Sequence, residues 1–300
     1  MTKPNQPNTF INPLFDEMFK KIFASETSKE VLRAFLNEVL KGKRHIESIT
    51  YGKNEYPGDI KDEAEAVFDV ICTDASGATF LVEVQRLEQN NFKERLLYYA
   101  SRLISDQAPK GDKSWKYNIN EVYVIALMED FCLPDSNPDL YLHDICLCNR
   151  HTGEVFYEKL NFICIEMLKF VKEKDALITP LDEWLYALKH APEMEEQPDF
   201  LNTREIDHFF DLARYSNFTE EERHMYRTAQ QVRWDNENAL DFAKNKARET
   251  GLKEGLEEGR KAERARAEKE QKEMALNTAL KLKSQKISLE IIADATGLAI

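Results

Sequence analysis

The spacing of apolar and polar positions divides the chain into an alternating body and a long polar tail. Phe15, Phe19, Ile22 and Phe23 form one apolar stripe, predicting a first helix with Asn12 as its cap and Pro13 at its first position. Leu32, Phe35, Leu36 and Val39 predict a second helix that stops at Gly42. His45–Tyr51 reads as a short strand, and Ala66–Thr73 and Thr79–Gln85 as two β-rich runs around the turn cluster Asp74-Ala75-Ser76-Gly77. A helix follows over Phe92–Ser105, with Leu96, Leu97, Ala100 and Leu103 facing inward. Glu121–Leu127 is a continuous apolar run, as in a strand buried on both faces. Strands are expected at Leu140–Leu147 and Val155–Tyr157, and helices at Phe162–Val171, Pro180–His190 and Thr203–Tyr215. The pattern is that of an α/β body with helices appended.

Charge sharpens the division. The net charge is −13, and residues 219–300 hold 16 basic and 16 acidic side chains, so the whole acidic excess lies in residues 1–218. Such a balance argues against a surface coated in basic charge, while leaving room for a local basic groove. The 42% hydrophobic content supports a packed core and excludes a wholly disordered chain. No apolar run approaches the ~18 residues of a membrane span. The opening MTKPNQPNTF lacks the apolar segment of a secretory signal, and five irregularly spaced cysteines fit a reducing cytoplasm better than a disulfide framework.

The candidate chemistry sits on the hairpin. A three-residue loop Ala75–Gly77, with Gly77 left-handed, pairs Asp74 with Ala78 and sets Asp69 directly opposite Glu83, their Cβ atoms ~5 Å apart. Like charges across a ladder repel, so a metal or a proton should separate them. Glu83 and Gln85 share a strand face. Two carboxylates, the Val84 carbonyl and a nearby amide make a hard-oxygen set suited to Mg²⁺ or Mn²⁺. The same residues also read as an exposed strand face whose acids meet water.

Asp16-x-x-Phe19-Lys20-x-x-Phe23, Val67-Phe68-Asp69-Val70 and Phe80-Leu81-Val82-Glu83-Val84-Gln85 resemble the PD-(D/E)XK nuclease family transposases, also called Rpn recombination-promoting nucleases. So do Arg95–Ser101, Asn161–Lys169 and the ending Ile287–Leu298. The resemblance implies a restriction-endonuclease-like mixed sheet flanked by helices, with a helical C-terminal extension, and Mg²⁺-dependent cleavage of DNA phosphodiesters. By position it makes Asp69 and Glu83 the metal-binding acids and Asp16 a supporting acid. Gln85 falls where many members of the wider nuclease superfamily carry lysine, although glutamine is common in this subfamily; an amide orients through hydrogen bonds but carries no charge. Lys93 and Arg95 on the next helix are candidates for the missing positive charge and for DNA contact, with a solvated helix face as the alternative; Tyr98 is a candidate for DNA contact alone, by stacking near a base or guiding a phosphate. Tyr99 reads as core. The alternative function is a catalytically weak, oligomeric DNA- or protein-binding module.

These features suggest a nuclease-like domain over 1–175, a helical elaboration over 176–218, a charged helical tail or linker over 219–272, and a small helical unit over 273–300. Gly251, Gly255 and Gly259 recur every four residues, which suits either close approach of another helix or a flexible linker. With the amphipathic Ala275–Leu282 segment they point to a homo-oligomer formed through the C-terminal helices. Ser288–Leu298 resembles the first helix and turn of a helix-turn-helix, with Ser288 as cap. His143, Cys146, Cys148 and His151 imitate zinc-ligand spacing, but on a strand the histidines and cysteines fall on opposite faces.

Overall fold

A computed structural model describes residues 9–53, 55–56, 66–67, 69–108 and 116–299. Phe68, inside the strand expected over Ala66–Thr73, lies outside the described residues. The described chain divides into two compact units, Met1–Ala229 and Gln230–Ile300.

In the first unit, α1 (Asp16–Phe23) and α2 (Lys29–Val39) precede β1 (Ile49–Tyr51), β2 (Glu55–Tyr56), β3 (Ala66–Val67), β4 (Val70–Asp74) and β5 (Thr79–Gln85). Then come α3 (Phe92–Ser105), β6 (Val122–Met128), β7 (Leu142–Cys148), β8 (Val155–Glu166), α4 (Pro180–His190) and α5 (Arg204–Ala213). Six strands form a mixed sheet in the order β1-β4-β5-β6-β8-β7, and β2 pairs with β3 separately. β5, β6 and β8 run parallel and the outer strands antiparallel. Fully apolar β6 lies at the centre, as parallel strands covered on both faces require.

Two apolar layers hold the sheet. Phe80, Val82 and Val84 of β5 face the core built by α1, α2, α4 and α5. Leu81, on the alternate face, packs with Leu96, Tyr99 and Leu103 of α3. Glu83 and Gln85, in phase with Leu81, therefore project on the α3 side. α4 starts at a capping box: Thr179 Oγ1 accepts from Asp182 N at 3.1 Å, and Asp182 accepts from Thr179 N at 3.0 Å.

The hairpin register follows its turn. Gly77 is left-handed at φ +86°, Asp74 N donates to the Ala78 carbonyl, and Val70 pairs with Val82. Arg44 braces the turn through ion pairs to Asp74 and Glu121. Extending that register by one residue sets Asp69 opposite Glu83.

Three expectations are corrected. Asn12 does not cap α1: its Oδ1 accepts from Leu14 N in a local turn, and the helix begins four residues later at Asp16, beyond Pro13. Leu97 points outward and is 53% exposed, because α3 lays its Phe92, Leu96, Tyr99, Ala100 and Leu103 side on the sheet. Phe162–Glu166 are strand rather than helix, the second half of the twelve-residue β8 that begins at Val155. A short continuous apolar run fits a buried strand or a buried helix equally, and pairing with β6 decides it.

In the second unit, α6 (Glu220–Ser284), which starts in the first, continues as an exposed helix, and α7 (Leu289–Thr296) ends at left-handed Gly297. Ser288 stands at the N-cap of α7, but its side chain makes no capping bond. Apart from the adjoining backbone of their own helix, no described residue lies within 4 Å of where a Cβ would stand on Gly251, Gly255 or Gly259. Among the described residues no helix is long and apolar enough to cross a membrane.

Candidate active site on the hairpin

Asp69 stands just before β4, where groups from both layers reach it. Its Oδ2 accepts the Val84 amide at 2.8 Å, and Lys20 of α1 places its Nζ 3.5 Å from Oδ1. The N–H and C=O of a strand residue point to one side, so the Val84 carbonyl also opens toward the start of β4. Glu83 is 1% exposed and ion-paired through Oε1 with Arg95 of α3; its Oε2 is buried without a hydrogen-bond partner among the described residues. Gln85, also buried, donates from Nε2 to the Leu87 carbonyl at 3.1 Å.

Both acids resist ionisation. Burial raises the Asp69 pKa, the Val84 amide opposes it, and the Asp16 charge adds to it. Burial, then the neighbouring Asp69 charge, pushes Glu83 up to about 8, against the pull of Arg95. Asp16, exposed at the start of α1, is thus close enough for its charge to act on both acids. Arg95 also lies 5.1 Å from the Tyr99 ring centroid, and burial followed by the Glu83 charge raises the Tyr99 pKa.

The structure therefore gathers Asp69, Glu83, Val84 and Arg95; Gln85 shares the strand face of Glu83 but turns its amide to the Leu87 carbonyl, and Asp16 acts on the pair through its charge from the exposed start of α1. Lys93 and Tyr98 stand apart on the exposed side of α3; Lys93 lines a neighbouring apolar groove with Leu97, Ile145 and Phe162. Lys20 belongs to the helix motif, where the resemblance gives it no role. Its place one turn after Asp16 on the same helix face is the signal the sequence offers for it. Tyr99 is core, yet it also touches the site through Arg95.

The donor set fits a hard divalent cation. Two carboxylates, an amide and a backbone carbonyl are all oxygen donors, and Glu83 Oε2 is a buried acceptor with nothing to accept from among the described residues. Among those residues no three His, Cys, Asp or Glu side chains converge, so such an ion would rest on two acids and neutral oxygens. His143, from the zinc-like set, instead pairs its Nε2 with Glu166 at 3.2 Å.

Hairpin acids, mixed sheet and flanking helices together are those of a nuclease-like α/β domain. The family described as PD-(D/E)XK nuclease family transposase matches residues 13–243, and the chain belongs to it. No curated protein and no solved structure matched the chain.

Proposed function

We propose that the protein is a divalent-metal-dependent DNA endonuclease of the recombination-promoting, transposase-like type, using Mg²⁺ or Mn²⁺. The observation that carries this reading is the buried Glu83 Oε2, without a hydrogen-bond partner among the described residues, on the residue that the hairpin register, extended by one, sets opposite Asp69. Asp69 and Glu83 would hold the ion, with the Val84 carbonyl beside them and Asp16 in support. When bound there, the ion lowers the pKa of the attacking water and offsets charge developing on the phosphate. Gln85 orients a water or phosphate oxygen through hydrogen bonds. Arg95 holds Glu83 in place and balances its charge. Lys93 and Tyr98 meet the DNA from the exposed face of α3. The five free thiols suit a reducing cytoplasm.

Self-association through the C-terminal helices would bring two such sites to one duplex. Exposed Leu276, Leu280, Leu289 and Ile291 support it. Light scattering of the full chain at tens of micromolar should give more than a monomer mass; a monomer removes this part of the proposal.

A second reading, a catalytically weak DNA- or protein-binding module, draws on the uncharged Gln85 and on the Arg95–Glu83 pair, which already neutralises one acid. Incubating supercoiled plasmid with the purified chain, with and without Mg²⁺, separates the two. Cleavage only with the metal is expected. Metal-independent binding without cleavage would replace the nuclease reading by the module.

A further inference from the structure

Two cations reach the acid pair from opposite layers, and their surroundings differ. Arg95 is committed: its guanidinium pairs with Glu83, donates to Gln89 Oε1 at 3.3 Å, and lies over Tyr99. Lys20 is held loosely. Its Nζ lies 3.5 Å from Asp69 Oδ1, longer than a good N–H···O bond, and its side chain is 33% exposed. The backbone beneath it is fixed, because Met18, Phe19, Ile22 and Phe23 bury the opposite side of α1. A lysine ammonium is a compact charge on a flexible stem, able to turn from a carboxylate to a phosphate oxygen within a short reach. Position 85, where charge would otherwise project from β5, holds a neutral amide.

We propose that Lys20, reaching from α1, supplies the positive charge that contacts the scissile phosphate, the task a charged side chain at position 85 would perform. The inference rests on the nuclease reading and adds a residue to it. Arg95 holds an acid; Lys20 faces the substrate. Its ammonium donates hydrogen bonds to a phosphate oxygen as negative charge builds there, and returns to Asp69 when the product leaves.

The test compares the full-length parent, Lys20→Met, and Lys20→Met combined with Gln85→Lys. Three readouts are taken: plasmid cleavage with Mg²⁺, Mn²⁺ affinity by calorimetry, and binding of a labelled short duplex in Ca²⁺ at several salt concentrations. Lys20→Met should cut about 100-fold more slowly, with Mn²⁺ affinity unchanged and the salt dependence of duplex binding flattened by about 0.9, the slope of one phosphate contact. Adding Gln85→Lys should recover at least about tenfold of the rate. Parent-like cleavage and salt slope in Lys20→Met would overturn the proposal. So would loss of Mn²⁺ affinity together with cleavage, which would make Lys20 a positioning residue acting through Asp69, and so would a double variant that recovers nothing. A parent that binds duplex without cutting it sinks the nuclease reading, and the salt slope alone then decides the Lys20 contact. A parent that binds no duplex overturns both.

Discussion

Asp182 and Glu83 are both acids sealed from solvent, at 0% and 1% exposure, yet their surroundings drive them in opposite directions. Burial alone raises a carboxyl pKa. At Asp182 four donors overcome it: Lys172 Nζ at 2.7 Å, the Tyr141 hydroxyl at 2.8 Å, and the Ile178 and Thr179 amides at 3.0 Å. Its pKa therefore lies well below the usual carboxylate range. Glu166, equally buried, is held low by the Leu133 amide, Ser136 and His143 around Oε1 and by Lys169, whose Nζ ion-pairs with Oε2 at 2.6 Å where no hydrogen bond forms among the described residues. Glu83 has one ion pair, two acids nearby at Asp69 and Asp16, and an acceptor left unfilled among the described residues, and burial wins. A buried acid whose acceptors are filled is a structural joint. One left wanting is a candidate functional site.

The largest expected effect lies at the hairpin pair. Asp69→Ala or Glu83→Ala should reduce Mg²⁺-dependent plasmid cleavage by about 1,000-fold or more, since each removes half of the charged donor set. Equal activity in Asp69→Ala and the parent would break the mechanism. Asp182→Ala should do the reverse: urea unfolding should show a loss of about 3–5 kcal/mol, from the stranded Lys172 and the lost α4 cap. Cleavage per folded molecule should stay at the parent level.

How much of this contrast the sequence discloses depends on how local its causes are. The turn Asp74–Gly77 sets the hairpin register by its own chemistry, so the opposition of Asp69 and Glu83 is legible from the residues alone. The bounds of α3 and β5 are equally legible, each carried by a clean period between turn residues. Phe162–Ile165 is not, because a continuous apolar run has no period and only its pairing with β6 makes it strand. Nor are the partners of Asp182, which lie up to 41 residues away at Tyr141. In sequence it looks like any acid in a helix's first turn. Lys20 escapes for the same reason, since the residue it meets is 49 positions on and in another layer.

Removing the unsatisfied charge sharpens the comparison. Without metal, Glu83→Gln should raise stability near pH 7 by about 1–3 kcal/mol, because an amide is far less costly to bury than an ionised carboxylate. The sign follows from the raised pKa. Between the unfolded carboxyl value near 4.5 and about 8, the folded state binds more protons than the unfolded one, so parent stability falls as pH rises through that window. The slope should be shallower in Glu83→Gln, which keeps only the part due to the raised pKa of Asp69. Asp182, with its depressed pKa, contributes stability that is present above the unfolded value near 3.8 and is lost as pH falls through the lower folded one. Denaturant unfolding of the parent and the two variants between pH 3 and 8 checks both slopes, and a parent curve flat from pH 5 to 8 would remove the contrast. The smallest effect is expected at Gln85→Ala, about tenfold in cleavage rate, since an orienting amide is lost but no charge. A loss as deep as that of Asp69→Ala would make Gln85 a ligand of equal rank.

On the proposed function, the hairpin acids, with Glu83 Oε2 unpartnered among the described residues, are held in place to take a divalent ion. Titrating Mn²⁺ into the metal-free full chain by calorimetry addresses it most directly, with Glu83→Gln and Asp182→Asn as paired controls. One site per chain is expected in the parent and in folded Asp182→Asn, and none of comparable affinity in Glu83→Gln. Undiminished binding in Glu83→Gln, or no binding in the parent, would contradict the account.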